Sequence, residues 1–223
     1  MGAAKLRING SDYVGAFITA TDDYAFIGNA TTPKSMDIIS EILGVSPVRL
    51  SVFSSDLIGI FSRANSNGIV LSSMITASEL ESLKSKGLGI NVAVLDSSLN
   101  AIGNNLLAND KFAIVNPEYS KPEIKEIGDT LGVETIPIEI GGFKTPGANN
   151  ILTNKGLVVN NRCSDEEKER LDEILGFDSV RTTSNMGSLS IGISTVANSK
   201  GAIVGETATG YEFGRIIDAL HIE

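Results

Sequence analysis

The chain has 223 residues, 42% of them hydrophobic and 20% charged, with no long low-complexity tract; this composition can build a core and excludes a disordered protein. The net charge of −9 argues against a protein that holds nucleic acid mainly through phosphates and is compatible with a basic protein partner. The single cysteine, Cys163, excludes an internal disulfide framework and a cysteine-rich zinc site, and the single histidine, His221, leaves almost no general base or metal ligand of that type. The polar start MGAAKLRING is too short for a secretory apolar segment, and no apolar run approaches the roughly 18 residues of a membrane span. A cytoplasmic protein with no membrane contact, metal or cofactor is expected.

The first expected element is a strand at residues 4–9, AKLRIN, which stands alone. Five similar units follow in one domain, at about 14–53, 58–96, 102–140, 147–184 and 191–223. The first unit opens on the apolar run VGAFITAT from Val14, the signature of a strand. The polar turn TDD and a second strand, YAFIGN, complete a hairpin. Thr32 and Pro33 begin a helix, Leu43-Gly44-Val45 ends it with glycine at a left-handed cap, and a third strand, PVRLSVF, follows. The later units repeat this order. Their opening runs are IGIFSRAN from Ile58, IGNNLLAN from Ile102, GANNILTN from Gly147 and IGISTVAN from Ile191. Aligned on the residue before the turn (Ala20, Ala64, Ala108, Thr153, Ala197), the units are spaced 44, 44, 45 and 44 residues apart.

Helix starts recur twelve residues after the marker at Thr32, Thr76, Ser120 and Thr209, and eleven after it at Ser164. Glu79, Glu123, Glu167 and Glu212 sit three residues further on, which is the capping-box pattern; the first unit has Ser35 there. Apolar faces are expected at Ile124, Ile127 and Leu131, at Leu171, Ile174 and Leu175, and at Phe213, Ile216, Ile217 and Leu220. Helix ends are expected at Leu88-Gly89, Leu131-Gly132, Leu175-Gly176 and Leu220-His221. Third strands are expected at INVAVL, VETIPIEI and DSVRTT, but the fifth unit has none. The spare N-terminal strand therefore completes the fifth sheet. The expected fold is α/β, a closed fivefold pseudosymmetric ββαβ ring with helices outside and no open end, and hence a monomer.

Such a ring is the pentein architecture, and along its whole length the chain resembles the translation initiation factor 6 family. The resemblance rests on the regular repeat without a large insertion, on Leu57-Ile58-Gly59, on Leu99 to Asn104 leading into Ala108-Asn109-Asp110, and on Asn185-Met186-Gly187-Ser188 before the last hairpin. Ending at the fifth helix, the chain is similar to archaeal members. The resemblance implies a translation factor that binds the intersubunit face of the large ribosomal subunit. It would rest mainly on a basic ribosomal protein near the sarcin–ricin loop, with limited contact to ribosomal RNA, and prevent small-subunit joining by its bulk. A role in subunit maturation is also implied.

The resemblance places the ribosome-binding rim at Gly59, Ile60, Gly103, Asn104, Asn105, Asn149, Asn150, Asn185, Met186, Gly187, Ser188 and Leu189. Asn104 leads this set, since an exposed amide can both donate to and accept from a partner backbone. The same residues have plainer roles open to them. Gly15, Gly59, Gly103 and Gly192 recur at one position, as packing near an axis requires. The asparagine pairs can be local caps, and Met186 and Leu189 can pack inward.

Two other functions remain open on the residues. Some penteins are guanidine-modifying hydrolases that use a cysteine with a histidine and carboxylates, and the chain could instead be a non-ribosomal binding scaffold. Cys163 and His221 fall in different units and at different levels of the repeat, so no catalytic residues are assigned.

Overall fold

The computed structural model describes residues 2–223. It opens with strand β1 (Ala3–Leu6). The first unit is a 3-10 turn at Val14–Ala16, β2 (Ile18–Ala20), β3 (Tyr24–Gly28), α1 (Pro33–Leu43) and β4 (Ser46–Leu50). The second is α2 (Ile58–Phe61), β5 (Ser62–Ala64), β6 (Gly68–Ser72), α3 (Ala77–Lys84) and β7 (Asn91–Leu95). The third is α4 (Ile102–Asn105), β8 (Leu106–Ala108), β9 (Phe112–Val115), α5 (Lys121–Leu131) and β10 (Glu134–Pro137). The fourth is α6 (Pro146–Asn149), β11 (Ile151–Leu152), β12 (Leu157–Asn160), α7 (Asp165–Leu175) and β13 (Val180–Thr182). The fifth is α8 (Ile191–Ser194), β14 (Thr195–Ala197), β15 (Ala202–Gly205) and α9 (Gly210–Ala219).

Each unit forms a three-stranded sheet whose middle strand pairs antiparallel with the inner strand and parallel with the outer one. In the fifth sheet the outer place is taken by β1, which pairs parallel with β15 from Ala3↔Ala202 to Leu6↔Gly205. The first strand of the chain thus closes the ring. The long helices pack between neighbouring sheets, so each apolar cluster is shared by two units. Val14, Ile27, Ile39 and Leu43 of the first unit, for example, meet Val196 and Ile203 of the fifth.

The apolar runs that open the units begin as one helical turn and become strand only afterwards. Periodicity cannot separate a short buried turn from a strand. The cause lies at the axis, where the turns of successive units touch through their backbones. A Cβ on Gly59 would overlap the carbonyl oxygen of Gly15; one on Gly103 would overlap that of Gly59, and the series continues through Gly147, Gly192 and back to Gly15. Gly147 therefore aligns with Gly103, which moves the fourth marker from Thr153 to Leu152. All five helix caps then stand twelve residues after the marker, and the extra residue falls between units four and five. It lies in the turn bridged by Ser184 and Ser188, which is one residue longer than those bridged by Ile8 and Ser11, Val52 and Ser55, and Ile140 and Phe143.

The caps form as expected: Thr32, Thr76, Ser120, Ser164 and Thr209 each accept from the backbone N–H three residues on. Gly44, Gly132 and Gly176 close their helices in the left-handed region, and His221 adopts it with φ 50°. Helix α3 stops at Lys84, short of Leu88, because Gly87 and Gly89 both take positive φ. Ile174 turns outward with 36% exposure, leaving Leu171 and Leu175 to fill the core. Closure does not remove every sheet edge, since β1, β4, β7, β10 and β13 each have a partner on one side only. They are short, and several carry charge or proline (Lys5, Pro47, Arg49, Glu134, Pro137), which discourages edge pairing.

A polar latch links the units at the hairpin turns. Thr21, Asn65, Asn109, Thr153 and Asn198 each accept from the two N–H groups of their own turn. The asparagines have a second hand. Asn65 Nδ2 donates to Asn109 O at 3.0 Å, Asn109 Nδ2 to Thr153 O at 3.0 Å, and Asn198 Nδ2 to Thr21 O at 2.9 Å and Leu43 O at 2.8 Å. Asn198→Thr should keep the turn, as Thr21 and Thr153 do, while stranding two buried carbonyls at the ring closure. The expected loss is about 2 kcal/mol in urea unfolding; an unchanged midpoint would show that the latch carries no stability.

Candidate functional site: the loop face

The two faces of the ring differ. One carries the hairpin turns and the helix C-termini, which the asparagine latches tie together. The other carries the axial turns, the linker loops before them and the helix N-termini, and is the loop face. Six large apolar side chains are exposed among the described residues, and five lie on the loop face: Tyr13, Phe53, Leu57, Met186 and Tyr211. Phe53 and Met186, 63% and 75% exposed, stand at the tips of linker turns. Both have positive φ, as do Asn9 and Gly141 at the matching turns. Neither residue type favours the left-handed region, so two side chains with most to gain from burial are held outward on strained backbone.

The strain is held by the helix caps. The capping carboxylate of each later unit faces the linker loop before it. Glu79 accepts from Phe53 N at 3.0 Å and Ser54 N at 2.8 Å. Glu167 accepts from Gly141 N at 3.1 Å. Glu212, 4% exposed, accepts from Met186 N at 3.1 Å, Gly187 N at 2.8 Å, Thr209 N at 2.8 Å and the hydroxyls of Thr183 and Thr209. Burial alone would raise both carboxyls, but these donors outweigh it and hold Glu79 and Glu212 at about 2. One residue thus caps a helix and sets a loop. With Glu123 and Asp165 to Glu167 at other helix starts, it gives the loop face much of its acidity.

The residues picked from sequence divide into two groups. Asn104 is partly exposed on α4, with no side-chain hydrogen bond among the described residues, and Ile60 stands at the same position of α2. Met186 and Gly187 are exposed, while Asn185, Ser188 and Leu189 are half-buried; Asn185 Nδ2 donates to Asp12 O at 2.9 Å. Gly59 and Gly103 are buried against neighbouring axial turns. Asn105, Asn149 and Asn150 are at most 5% exposed. Asn105 Nδ2 bonds Ala101 O and its Oδ1 receives Asn116 Nδ2 at 2.7 Å; Asn149 Nδ2 bonds Leu189 O; Asn150 Nδ2 bonds Pro146 O and its Oδ1 receives Asn160. These three amides hold axial turns in place, and the one-residue shift of register explains why the two asparagine pairs are not equivalent. Sequence reasoning missed Tyr13, Phe53, Leu57 and Tyr211. The available signal was a large apolar residue at a linker or cap position outside any helix or strand period.

Cys163 is 1% exposed in the core with Leu171 and Leu175, and burial pushes its thiol up to about 11, opposite to what a nucleophile needs. His221 is exposed at the end of α9. No helix of the described residues is long and apolar enough to cross a membrane.

Five ββαβ units closed by the chain's own first strand define a pentein. The chain belongs to the eIF-6 family, whose model matches residues 3–219. It is similar to translation initiation factor 6 of Thermoplasma acidophilum, at 40% identity over 216 residues, 97% of this chain and 98% of that one. It is similar to the factor of Pyrococcus abyssi at 37% over 224 residues, 99% of each chain, and to that of Methanosarcina mazei at 38% over 207 residues, 93% of each. These organisms are archaea, in line with the sequence resemblance. Among solved structures, a dimethylarginine dimethylaminohydrolase aligns with a TM-score of 0.49 and 16% identity, over 76% of this chain and 68% of that one.

A lowered carboxyl stabilises the fold above its unfolded value, and that stability is lost as pH falls through the folded value. Glu212→Gln should therefore lower the melting temperature at pH 7. The gap to the parent should shrink between the ordinary 4.5 and about 2. A gap that does not change with pH, followed by calorimetry, would mean that charge on Glu212 does not hold the loop.

Proposed function

We propose that the loop face docks on the intersubunit face of the large ribosomal subunit and keeps the small subunit away by occupying its place. The concentration of exposed apolar side chains on this face is the observation that carries the reading: patches of this kind mark interaction surfaces. Family membership supplies the ribosome. Met186, at the tip of the one lengthened linker, and Phe53 are the proposed apolar anchors. Asn104 and Ile60 lie nearest the axis and complete the contact. Asn185, Gly187, Ser188 and Leu189 shape the Met186 turn. Gly59, Gly103, Asn105, Asn149 and Asn150 act from beneath, through the axial turns.

The acidic helix starts favour a basic ribosomal protein, next to the sarcin–ricin loop, over extensive contact with ribosomal RNA. Binding is the whole activity in this reading, and it takes place in the cytoplasm. Joining stays suppressed while the factor is bound, so its release is the point of control.

Co-sedimentation with separated subunits and joined ribosomes tests this directly. Retention on large subunits alone is expected; retention on small subunits, or on none of the particles, would overturn it. Met186→Asp and Asn104→Ser should each weaken retention, the first by about tenfold or more, without moving the unfolding midpoint. Parent-like retention of both variants would remove the loop face as the docking surface. The short, charged outer strands favour a monomer, and light scattering at micromolar concentration should give the mass of one chain; a dimer mass would contradict this.

A further inference from the structure

The ring surrounds a channel on its pseudo-fivefold axis. The five marker residues, Ala20, Ala64, Ala108, Leu152 and Ala197, line both of its chambers and form a collar between them. On the hairpin side, two carboxylates are fully engaged by neighbours. Asp22 receives Ser199 N at 2.8 Å and Asn154 Nδ2 at 3.0 Å; Asp110 receives Ser66 N at 2.8 Å, Ser66 Oγ at 2.9 Å and Asn154 Nδ2 at 2.6 Å.

The other chamber is different. It is a cavity of about 30 Å³ with Leu107, Ile151 and Val196 in its wall, together with Arg63 and Thr195. Arg63 pairs opposite Val70 at the centre of its inner strand, a position held by Thr19, Leu107, Ile151 and Val196 in the other units. One cation thus stands in a mostly apolar ring. Its Nη2 donates to Gly103 O at 2.7 Å, while its Nε is buried without a partner. No carboxylate pairs with it among the described residues. Burial lowers the guanidinium to about 10, which still leaves it charged at neutral pH. Thr195, 3% exposed, lines the same cavity, and its hydroxyl is also without a partner.

Arg63 is half-buried, but its Nε is cut off from solvent; a guanidinium edge so placed with neither acceptor nor counter-charge is costly, and an arginine offers only donors. Water could accept a hydrogen bond here but would leave the charge uncompensated. The chamber has room for about one small ion, since a single water needs roughly 10–15 Å³ measured this way. A tetrahedral oxyanion is larger than this volume holds. We propose that this chamber is a binding site for one monatomic halide, chloride in the cell, held by Arg63 and Thr195. The proposal is independent of what the loop face binds.

Crystals grown in sodium bromide and measured at the bromine absorption edge should show an anomalous peak within hydrogen-bonding reach of Arg63 Nε. Density there without anomalous signal would mean water and overturn the proposal. In solution, the parent should broaden the chloride NMR line, and Arg63→Leu, which installs the residue of the Leu107 position, should lose the part due to this site. Arg63→Lys should retain some of it. Equal broadening by the parent and Arg63→Leu would overturn the site. Should Arg63→Leu fail to fold, the bromide experiment on the parent chain decides.

Discussion

Everything in this ring depends on the close approach of five glycine backbones at its axis. Gly15, Gly59, Gly103, Gly147 and Gly192 bring one helical turn from each unit against the next, with no room for a side chain. That contact sets the distance between units, and the rest of each unit follows outward from it. The inner strands start where the axial turns end. The long helices then fall into the gaps between sheets, and the apolar clusters form across unit boundaries. No unit buries its own apolar face alone, so the ring is stable as a whole rather than as five parts.

Backbone contact of this kind is indifferent to sequence beyond glycine, so it cannot by itself prevent the units from slipping past one another. The polar groups at the hairpin end supply direction. An asparagine at the turn satisfies its own loop with its oxygen and reaches the next unit with its amide; a threonine in the same place can do only the first. The two threonine junctions, after Thr21 and Thr153, lack that reach. At the second, the link is indirect: Asn154 Nδ2 donates across the channel to Asp22 of the first unit, which also accepts from Ser199 N of the fifth. At the closing junction, Asn198 makes two such bonds, as Asn65 does to Asn109 O and Leu131 O, and β1 pairs with β15 as the other outer strands pair with their middle strands. The covalent break lies inside the fifth unit, between α9 and β1, and β1 itself runs on through the linker turn at Ile8 and Ser11 into the first unit.

Most of the fold could be read from the sequence because repetition multiplies weak signals. One Thr-x-x-Glu means little, but four at a fixed interval define helix starts, and the spare N-terminal strand could then be matched to the strand missing from the fifth unit. What could not be read was of two kinds. The axial turns look apolar in sequence and pack like strands at their ends, so their helical geometry is visible only once the glycine contacts are known. The one-residue shift in unit four arose because Thr153 resembles the small markers while Leu152, the true equivalent, does not. That shift made Asn149 and Asn150 appear to match Asn104 and Asn105, and it led buried structural amides to be read as surface ones. Met186 was found because its loop carries a recognisable string. Phe53 was not, because a phenylalanine beside two serines has no period to betray that it is exposed.

The departures from fivefold symmetry separate stability from function. Where the units agree, at the axial glycines, the caps and the apolar clusters, the residues answer to packing. Where they differ without damage to packing, another cause is needed. The fifth linker is one residue longer and holds a methionine outward, at the expense of a left-handed backbone. The second linker does the same with a phenylalanine, and in both the capping glutamate that could have served the helix alone is also spent on the loop. A ring that needed only to fold would place Asn or Gly at these tips, as it does at Asn9 and Gly141. The strain is concentrated on one face, beside its exposed apolar residues, which is the face proposed above to dock.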